Sequence, residues 1–470
     1  VNGFHQSFLA TAAWFSSCGL PGWVGLVLAG VVFYAVPLFG VVLPIAGLGQ
    51  IFERKIAAAM QRRIGPSTTG IVGILRLTVN LALPWKAKAE CNRLAERLVA
   101  FAPVALLDRI LTRTGVAQLA ADGVKMIGKE DLVPSGVDGW LFRAAPYLAI
   151  AGAFLPFVVV PWSQHLVGAD LSIGLVWVAA AGGLTAVAIL LAGWGSNNKW
   201  TMLGGMRAVA QIVSYEIPVG LCMAAVAMWC GTLSLQQMVA AQYHPGVLSF
   251  LGWNLLQSPF MVILAGTFYL AAIAECQRTP FDTAEAESEL VSGFNTEMSG
   301  LRWGMFAMAE YTETFLIGAL FAVLFLGGYQ SPVGEQWILS LPPLAETVIH
   351  VAIMTAKCLV AIWVMMWIRW TLPRFRIDQV MRLAWLKLVP LALVCLFGLA
   401  LTMLLGARIE QVAYGRLLSA PSAQLPLIAW ALSWLLAGGA IIALVVAAKR
   451  SGPPMPAALR RLTTAPARKA

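Results

Sequence analysis

The chain has 470 residues, 59% of them hydrophobic and only 11% charged, where a soluble domain carries roughly 25% charge. Little of its mass can face water, so the composition excludes an ordinary soluble domain and points to an integral membrane protein. The net charge of +10 sits in short loops between apolar runs, which suits a membrane surface and not a nucleic acid. Seven cysteines, at 18, 91, 222, 230, 276, 358 and 395, form no CxxC pair. Neither a disulfide framework, a metal site nor an iron–sulfur cluster is expected from them. No glycine-rich phosphate-binding pattern occurs in a strand–turn–helix setting, so the chain alone is not expected to bind a dinucleotide or ATP.

In chain order, residues 4–20 are apolar but lack a basic leader, so a cleaved signal peptide is not expected, and the initial Val leaves the start open. Runs of ~20 apolar residues read as transmembrane helices. They predict an all-α fold of about nine spans, near 24–51, 143–161, 171–194, 212–232, 258–274, 303–327, 346–368, 384–406 and 425–448. Charge supports this count. The segment 52–142, with Arg143 at its edge, holds fourteen Lys/Arg, whereas the loops 162–170, 233–257 and 328–345 hold none. Twenty-nine of thirty-two cations fall on one side. The positive-inside rule then puts the N-terminus outside and the C-terminus in the cytoplasm.

The first cytoplasmic loop, 52–142, is unusually long. Within it ERKIAAAMQRRIG (53–65) spaces Ile56, Met60 and Ile64 four apart among cations, which predicts an interfacial amphipathic helix. Residues 77–117 read as a helical hairpin on the membrane surface. The end, SGPPMPAALRRLTTAPARKA, reads as a basic disordered tail. No internal repeat is evident, which argues against transporter folds built from duplicated halves.

Ionisable residues within spans are costly and mark function. Glu216 sits at the cytoplasmic end of the fourth span. Glu310 and Glu313 share a face of the sixth, and two carboxylates that close in a low dielectric cannot both ionise cheaply, which suits proton storage or relay. Lys357, alone in the seventh, needs a carboxylate partner, with that pair among the candidates. The competing reading is a buried ion-pair cluster that fixes helix register. Between the fifth and sixth spans, ECQRTPFDTAEAESELVSGFNTEMSGLR (275–302) concentrates Glu275, Asp282, Glu285, Glu287, Glu289 and Glu297 beside Arg278 and Arg302. A water-filled acidic pocket at the membrane face is the functional reading; a solvated loop is the plain one. Arg369 and LPRFRIDQ (372–379) read first as cations snorkelling to lipid phosphate.

Three segments carry a family resemblance: GWGSNNKWTMLGGMRAVAQIVSYEIPVGL (193–221), ECQRTPFDTAEAESELVSGFNTEMSG (275–300) and RWTLPRFRIDQVM (369–381). With ERKIAAAMQRRIGP (53–66) and ADGVKMIGKEDLVP (121–134) they resemble the H-subunit family of bacterial proton-pumping NADH:quinone oxidoreductase, complex I, the counterpart of mitochondrial subunit 1. The likeness spans about 24–406 in collinear order. It implies a multi-pass protein of the bacterial inner membrane that holds no redox centre and is not catalytic alone. Quinone would be the substrate, with NADH, FMN and iron–sulfur clusters on partner subunits. Those partners would be the peripheral-arm quinone-site subunits and neighbouring small membrane subunits, with membrane lipid around them.

Mapped here, the resemblance assigns Arg54, Gln61, Arg63, Asp122, Arg278, Phe281, Asp282, Glu285, Glu287, Glu289 and Arg302 to the quinone chamber and its rim. Glu216, Glu275, Glu310, Glu313 and Lys357 would carry the proton or charge path. The chain departs from the family at Ser67, Cys276, Gln277, Thr279, Thr283, Ala284, Phe294 and Asn295. About forty residues (77–117) are inserted in the first loop, and segments 407–448 and 449–470 add a span and a tail after a core domain at 24–406; residues 1–23 precede it. The rivals are the related subunit of a membrane-bound hydrogenase or formate hydrogenlyase, a secondary transporter, and a purely structural anchor.

Overall fold

The computed structural model describes residues 21, 24, 43–67, 69–70, 74, 77–78, 102–244, 248–284 and 286–414. The principal helices are α1 (Leu43–Met60), α2 (Ala102–Thr114), α3 (Ala117–Gly128), α4 (Gly139–Phe154), α5 (Gly174–Gly195), α6 (Lys199–Cys230) and α7 (Leu235–Ala241). They continue as α8 (Pro259–Glu275), α9 (Gly300–Phe325), α10 (Glu335–Leu339), α11 (Pro343–Thr371), α12 (Ile377–Leu383) and α13 (Val389–Tyr414). No strand occurs among the described residues.

Among the described residues six helical segments are long and apolar enough to cross a membrane: Gly139–Val158, Gly174–Gly195, Lys199–Cys230, Gly300–Phe325, Ala345–Thr371 and Ile377–Leu404; α8 is apolar but shorter. Each overlaps a span expected from hydropathy. The expected ninth span, the basic tail and most of the first span lie outside the described residues, as does 79–101 of the insertion. The other end of that stretch is helical, as α2.

Local chemistry sets the helix ends. Asp138 and Asn198 cap α4 and α6, their side-chain oxygens accepting from the backbone N–H of Trp140 at 3.3 Å and Trp200 at 3.0 Å. Gly231, at φ 69°, stops α6 in the left-handed region where a side chain would be strained. With 32 residues, α6 is about 48 Å long, well beyond the ~30 Å hydrocarbon layer. It starts thirteen residues before the span expected at 212, because capping by Asn198 extends a helix that hydropathy does not see.

The cationic helix expected over 53–65 is the end of α1 and stops at Met60, with Arg62 at φ 53° closing the turn. Its Glu53, Ala57 and Ala58 are buried while Met60 and Ile64 are exposed. Of the expected apolar stripe, Ile56 packs against the core while Met60 and Ile64 do not.

Helix α9 sits at the centre, against α1, α4, α8 and α11. Of its most apolar window 72% is buried within the chain, against 33% for α11, so charged groups on α9 face protein and not lipid. Small residues bring the helices close: a Cβ on Gly193 of α5 would stand 2.9 Å from the Thr201 carbonyl and 3.3 Å from Gly205 Cα on α6. Gly204 does the same for the acidic loop, since its Cβ would stand 2.7 Å from Gly293 Cα.

Candidate functional site

The loop after α8 is pinned to α6 by a fully buried glutamine. Gln211 Nε2 donates to the carbonyls of Ala274 and Phe281, both at 2.8 Å, and its Oε1 accepts from Thr283 Oγ1 at 2.6 Å. Phe281 is buried between Tyr215 and Phe375, with centroids at 5.8 and 5.6 Å. The Tyr215 hydroxyl donates to Val380 O at 2.8 Å, and Phe375 N–H donates to Pro280 O at 2.9 Å. A polar loop at a membrane face is thus held rigidly by satisfied backbone groups.

That rigidity presents Arg278 to the bundle. Arg278 Nη1 lies 2.9 Å from Glu310 Oε1 on α9 and 3.9 Å from Glu53 on α1, and Arg369 at the end of α11 binds Glu53 at 2.8 Å. The guanidinium rests 4.3 Å from the Tyr311 ring centroid. Beside it Arg374 pairs with Asp282 at 2.8 Å. Three helices and one loop therefore meet in a balanced set of two carboxylates and two guanidinium groups. Burial works against the charge on Arg278, but Glu310, then Tyr311 and Glu53, more than offset it and hold its pKa above the ordinary value. Its Nη2 and one oxygen of Asp282 are buried without a hydrogen-bond partner among the described residues.

Inward from this cluster the carboxylates are linked by two small cavities. One of ≈ 40 Å³ is lined by Glu275, Glu310, Glu313, Thr185 and Gln277. The next, of ≈ 60 Å³, is lined by Glu216, Glu275, Glu313, Thr185 and Gly182. Glu275 and Glu313 border both, so the four carboxylates form one chain from α9 to α8 and α6. A Cβ on Gly182 would stand 3.7 Å from Glu275 Oε1; the glycine keeps space beside that carboxylate. Cavities of this size and polarity have room for water. Cys276 lies beside them, and burial, then Glu313 and Glu275, push its thiol well above the usual range, so it is no nucleophile.

Of the residues expected to line a chamber or charge path, the structure gathers Arg278, Asp282, Phe281, Glu310, Glu313, Glu275 and Glu216 in this region. Others stand apart. Glu289 pairs with Arg207 at 2.6 Å on the surface, and Arg302 binds Asp131 at 2.8 Å over the Phe142 ring. Arg54 binds Asp122 at 2.7 Å, and Gln61 and Arg63 are exposed in the turn after α1. Glu285 lies outside the described residues, and of Glu287 only the backbone, in the single turn Glu287–Leu290, is described.

Lys357 is not partnered by the α9 carboxylates. Its ammonium donates to the carbonyls of Leu326, Gly328 and Gln330 at 2.6, 2.8 and 2.7 Å and sits 4.4 Å from the Trp253 ring centroid. Backbone oxygens meet the need that the sequence assigned to a carboxylate. Arg369 and Arg374 bind carboxylates as well, where snorkelling to lipid is the first reading of their sequence. Glu53 is absent from the expected site residues. The signal is there, for it is the only acid in the basic stretch 53–63, but only contact with α9 and α11 gives it meaning.

Known proteins match this chain over most of its length. A family model described as NADH dehydrogenase matches residues 33–112 and 108–400. The H subunit of NADH-quinone oxidoreductase from Anaeromyxobacter dehalogenans is 42% identical over 309 residues, covering 64% of this chain and 74% of the relative. The proteins of that name from Chlorobaculum parvum and Chlorobaculum tepidum are 37% identical over 374 residues, 79% of this chain and 91% of theirs. With a helical membrane fold, and with this coverage by both kinds of comparison, the chain belongs to the NADH dehydrogenase family, among the H subunits of NADH-quinone oxidoreductase.

Proposed function

We propose that this chain forms the membrane-side floor and entrance of a quinone-reduction chamber and begins the buried charge path that couples reduction to proton pumping. It would do so in a bacterial inner membrane, against peripheral-arm subunits that bring the electrons and small membrane subunits that extend the path. The observation that carries this reading is the contact between Arg278 and Glu310. It joins a rigid loop at the cation-rich face to a chain of four part-buried carboxylates.

The coupling is electrostatic. Two reducing electrons at a quinone place negative charge near the loop, where the Arg278 guanidinium, with an unused N–H, is the nearest fixed cation among the described residues of that loop. As Arg278 turns toward that charge, Glu310 loses part of its counter-ion. A unit charge at 4 Å is worth about 4 kcal/mol at an effective dielectric of 20, enough to change a protonation equilibrium about a thousandfold. Glu310 then takes a proton from the cavity it shares with Glu313 and Glu275, and Glu216 completes the relay. Phe281 and Tyr215 hold the loop in register, while Asp282 and Arg374 close its outer side.

The test is NADH-driven quinone reduction, with acidification read alongside, in vesicles carrying the wild-type chain, Arg278→Ala or Glu313→Gln. We expect Arg278→Ala to lose both activities in assembled complex. Glu313→Gln should retain quinone reduction and lose most pumping. Assembled variants with both activities intact would falsify the reading.

A further inference from the structure

At the opposite end of α11 from Arg369 lies a second buried ionic cluster, made of residues that none of the expected site positions included. His350, wholly buried, is nineteen residues from Arg369, so the two are about 28 Å apart along one helix. Its Nε2 is 3.1 Å from Glu335 Oε1 on α10. Its Nδ1 is 3.4 Å from Ser163 Oγ and 3.7 Å from Glu346 Oε1. Glu346 Oε2 in turn lies 3.5 Å from His165 Nε2, whose side chain is 52% exposed. The series therefore runs from the interior to the surface through the loops 162–170 and 328–345, which contain no Lys or Arg.

The donor and acceptor count admits two arrangements. A neutral imidazole has one donor and one acceptor nitrogen, so the ring can donate Nε2–H to Glu335 and accept from the Ser163 hydroxyl at Nδ1. A protonated ring donates from both nitrogens, toward Glu335 on one side and Glu346 on the other, so the site has a place for one added proton. Glu346 Oε1, more than nine-tenths buried, has no hydrogen-bond partner among the described residues and points toward His350. The described titratable or charged groups facing the cluster are few. Tyr329 lies tilted against His350 with ring centroids 5.0 Å apart, and Lys357 lies two turns inward on α11, tied to the carbonyls of the loop that leads to α10. Burial, then Glu335 and Glu346, push the Tyr329 phenol up, so it stays neutral. Among the described residues no group of three or more His, Cys, Asp or Glu is arranged to hold a metal ion.

We infer that Glu335, His350, Glu346 and His165 form a proton-exchange site on the cation-poor face, passing protons between the bundle interior and the water on that side. A proton arriving on Glu335 moves to His350 Nε2 while the Nδ1 proton passes to Glu346 Oε1. The Glu346 carboxyl group then rotates so that the same O–H faces His165 Nε2 and delivers its proton there, and His165 releases its other ring proton to water. At each step one N–H or O–H bond breaks and another forms, and no electron moves. The 3.7 Å separation is the step that needs a side-chain shift, and the unpartnered Glu346 oxygen is free to make it. This inference rests on the proton-coupled reading above for its purpose, but not for its test.

The purified complex containing this chain is reconstituted in proteoliposomes, and infrared difference spectra are recorded as pH on the cluster's side is stepped across the range where imidazole changes charge, roughly pH 5–8. The wild type should show linked imidazole and carboxyl changes. His350→Gln should lose both, and His165→Gln should delay or lose the response to pH on that side. In NADH-driven acidification both variants should pump fewer protons per quinone reduced. Spectra and pumping ratio unchanged from wild type in the variants would overturn the inference. If His350→Gln does not assemble, His165→Gln, at the surface, decides by the same readouts. If quinone reduction proves independent of this chain, the preceding reading falls while the infrared titration still decides this one.

Discussion

The two ends of α11 hold ionic clusters of opposite design. At the Arg369 end, Glu53 and Glu310 are balanced by Arg278 and Arg369, cations that do not release protons under any working condition. At the other end, Glu335 and Glu346 face His350 and His165, whose charge depends on protonation. The cations of the first can respond only by moving; those of the second can respond by gaining or losing protons. Permanent cations suit a site where outside charge must be felt, and imidazoles suit one where protons must leave.

The largest expected effect comes from breaking the fixed-charge end. Arg278→Ala would leave Glu310 without its counter-ion, while Glu53 keeps Arg369, and cost about 3–5 kcal/mol, read as a lowered midpoint of thermal unfolding of the detergent-solubilised complex. Adding Glu310→Gln should restore part of that loss; an additive double variant would show the two do not interact. The sign of the pH response separates the ends further. Because the Arg278 pKa is raised, the stability it contributes is fully present below the ordinary arginine range. It is lost only as pH rises through the higher folded value, beyond any working pH. The arginine itself therefore adds no slope at working pH, and any slope in the stability of Arg278→Ala relative to wild type reports the carboxylate that it pairs with, Glu310; a Glu310→Gln background should remove it.

Next is Lys357→Met, which removes the donor from three loop carbonyls at a cost of roughly 2–4 kcal/mol. It should loosen the loop before Glu335, seen as faster amide hydrogen exchange over 326–335 with no change at 276–284. Gly204→Ala comes third. A methyl 2.7 Å from Gly293 Cα must displace backbone, at about 1–3 kcal/mol, and should raise the KM for quinone more than it lowers kcat, because the loop is shifted and not rebuilt. The smallest is Glu289→Gln. Its pair with Arg207 is exposed and worth about 0–1 kcal/mol, so thermal stability should hardly change; a large loss would mean the surface pair belongs to the site after all.

Hydropathy and charge alone show a helical membrane protein, because a bilayer demands ~20 apolar residues per span and sorts cations to one side. Those are local properties. The acidic run at 275–302 and the carboxylates at 216, 310 and 313 are legible for the same reason, since charge inside an apolar run is rare. What no local pattern carries is which charges meet. In sequence Glu53 is one acid among cations, and Arg369 reads as a lipid anchor. Lys357 reads as a cation in need of an acid, until the packing of α1, α9 and α11 supplies partners 27 to 316 positions away. His350 and Glu335 give no signal at all, for a single histidine or glutamate near a helix end is ordinary in sequence. The composition determined that few charges could be buried. Tertiary structure alone decided how they are paired, because desolvated charge is stabilised only by groups within a few ångströms, whatever their distance along the chain.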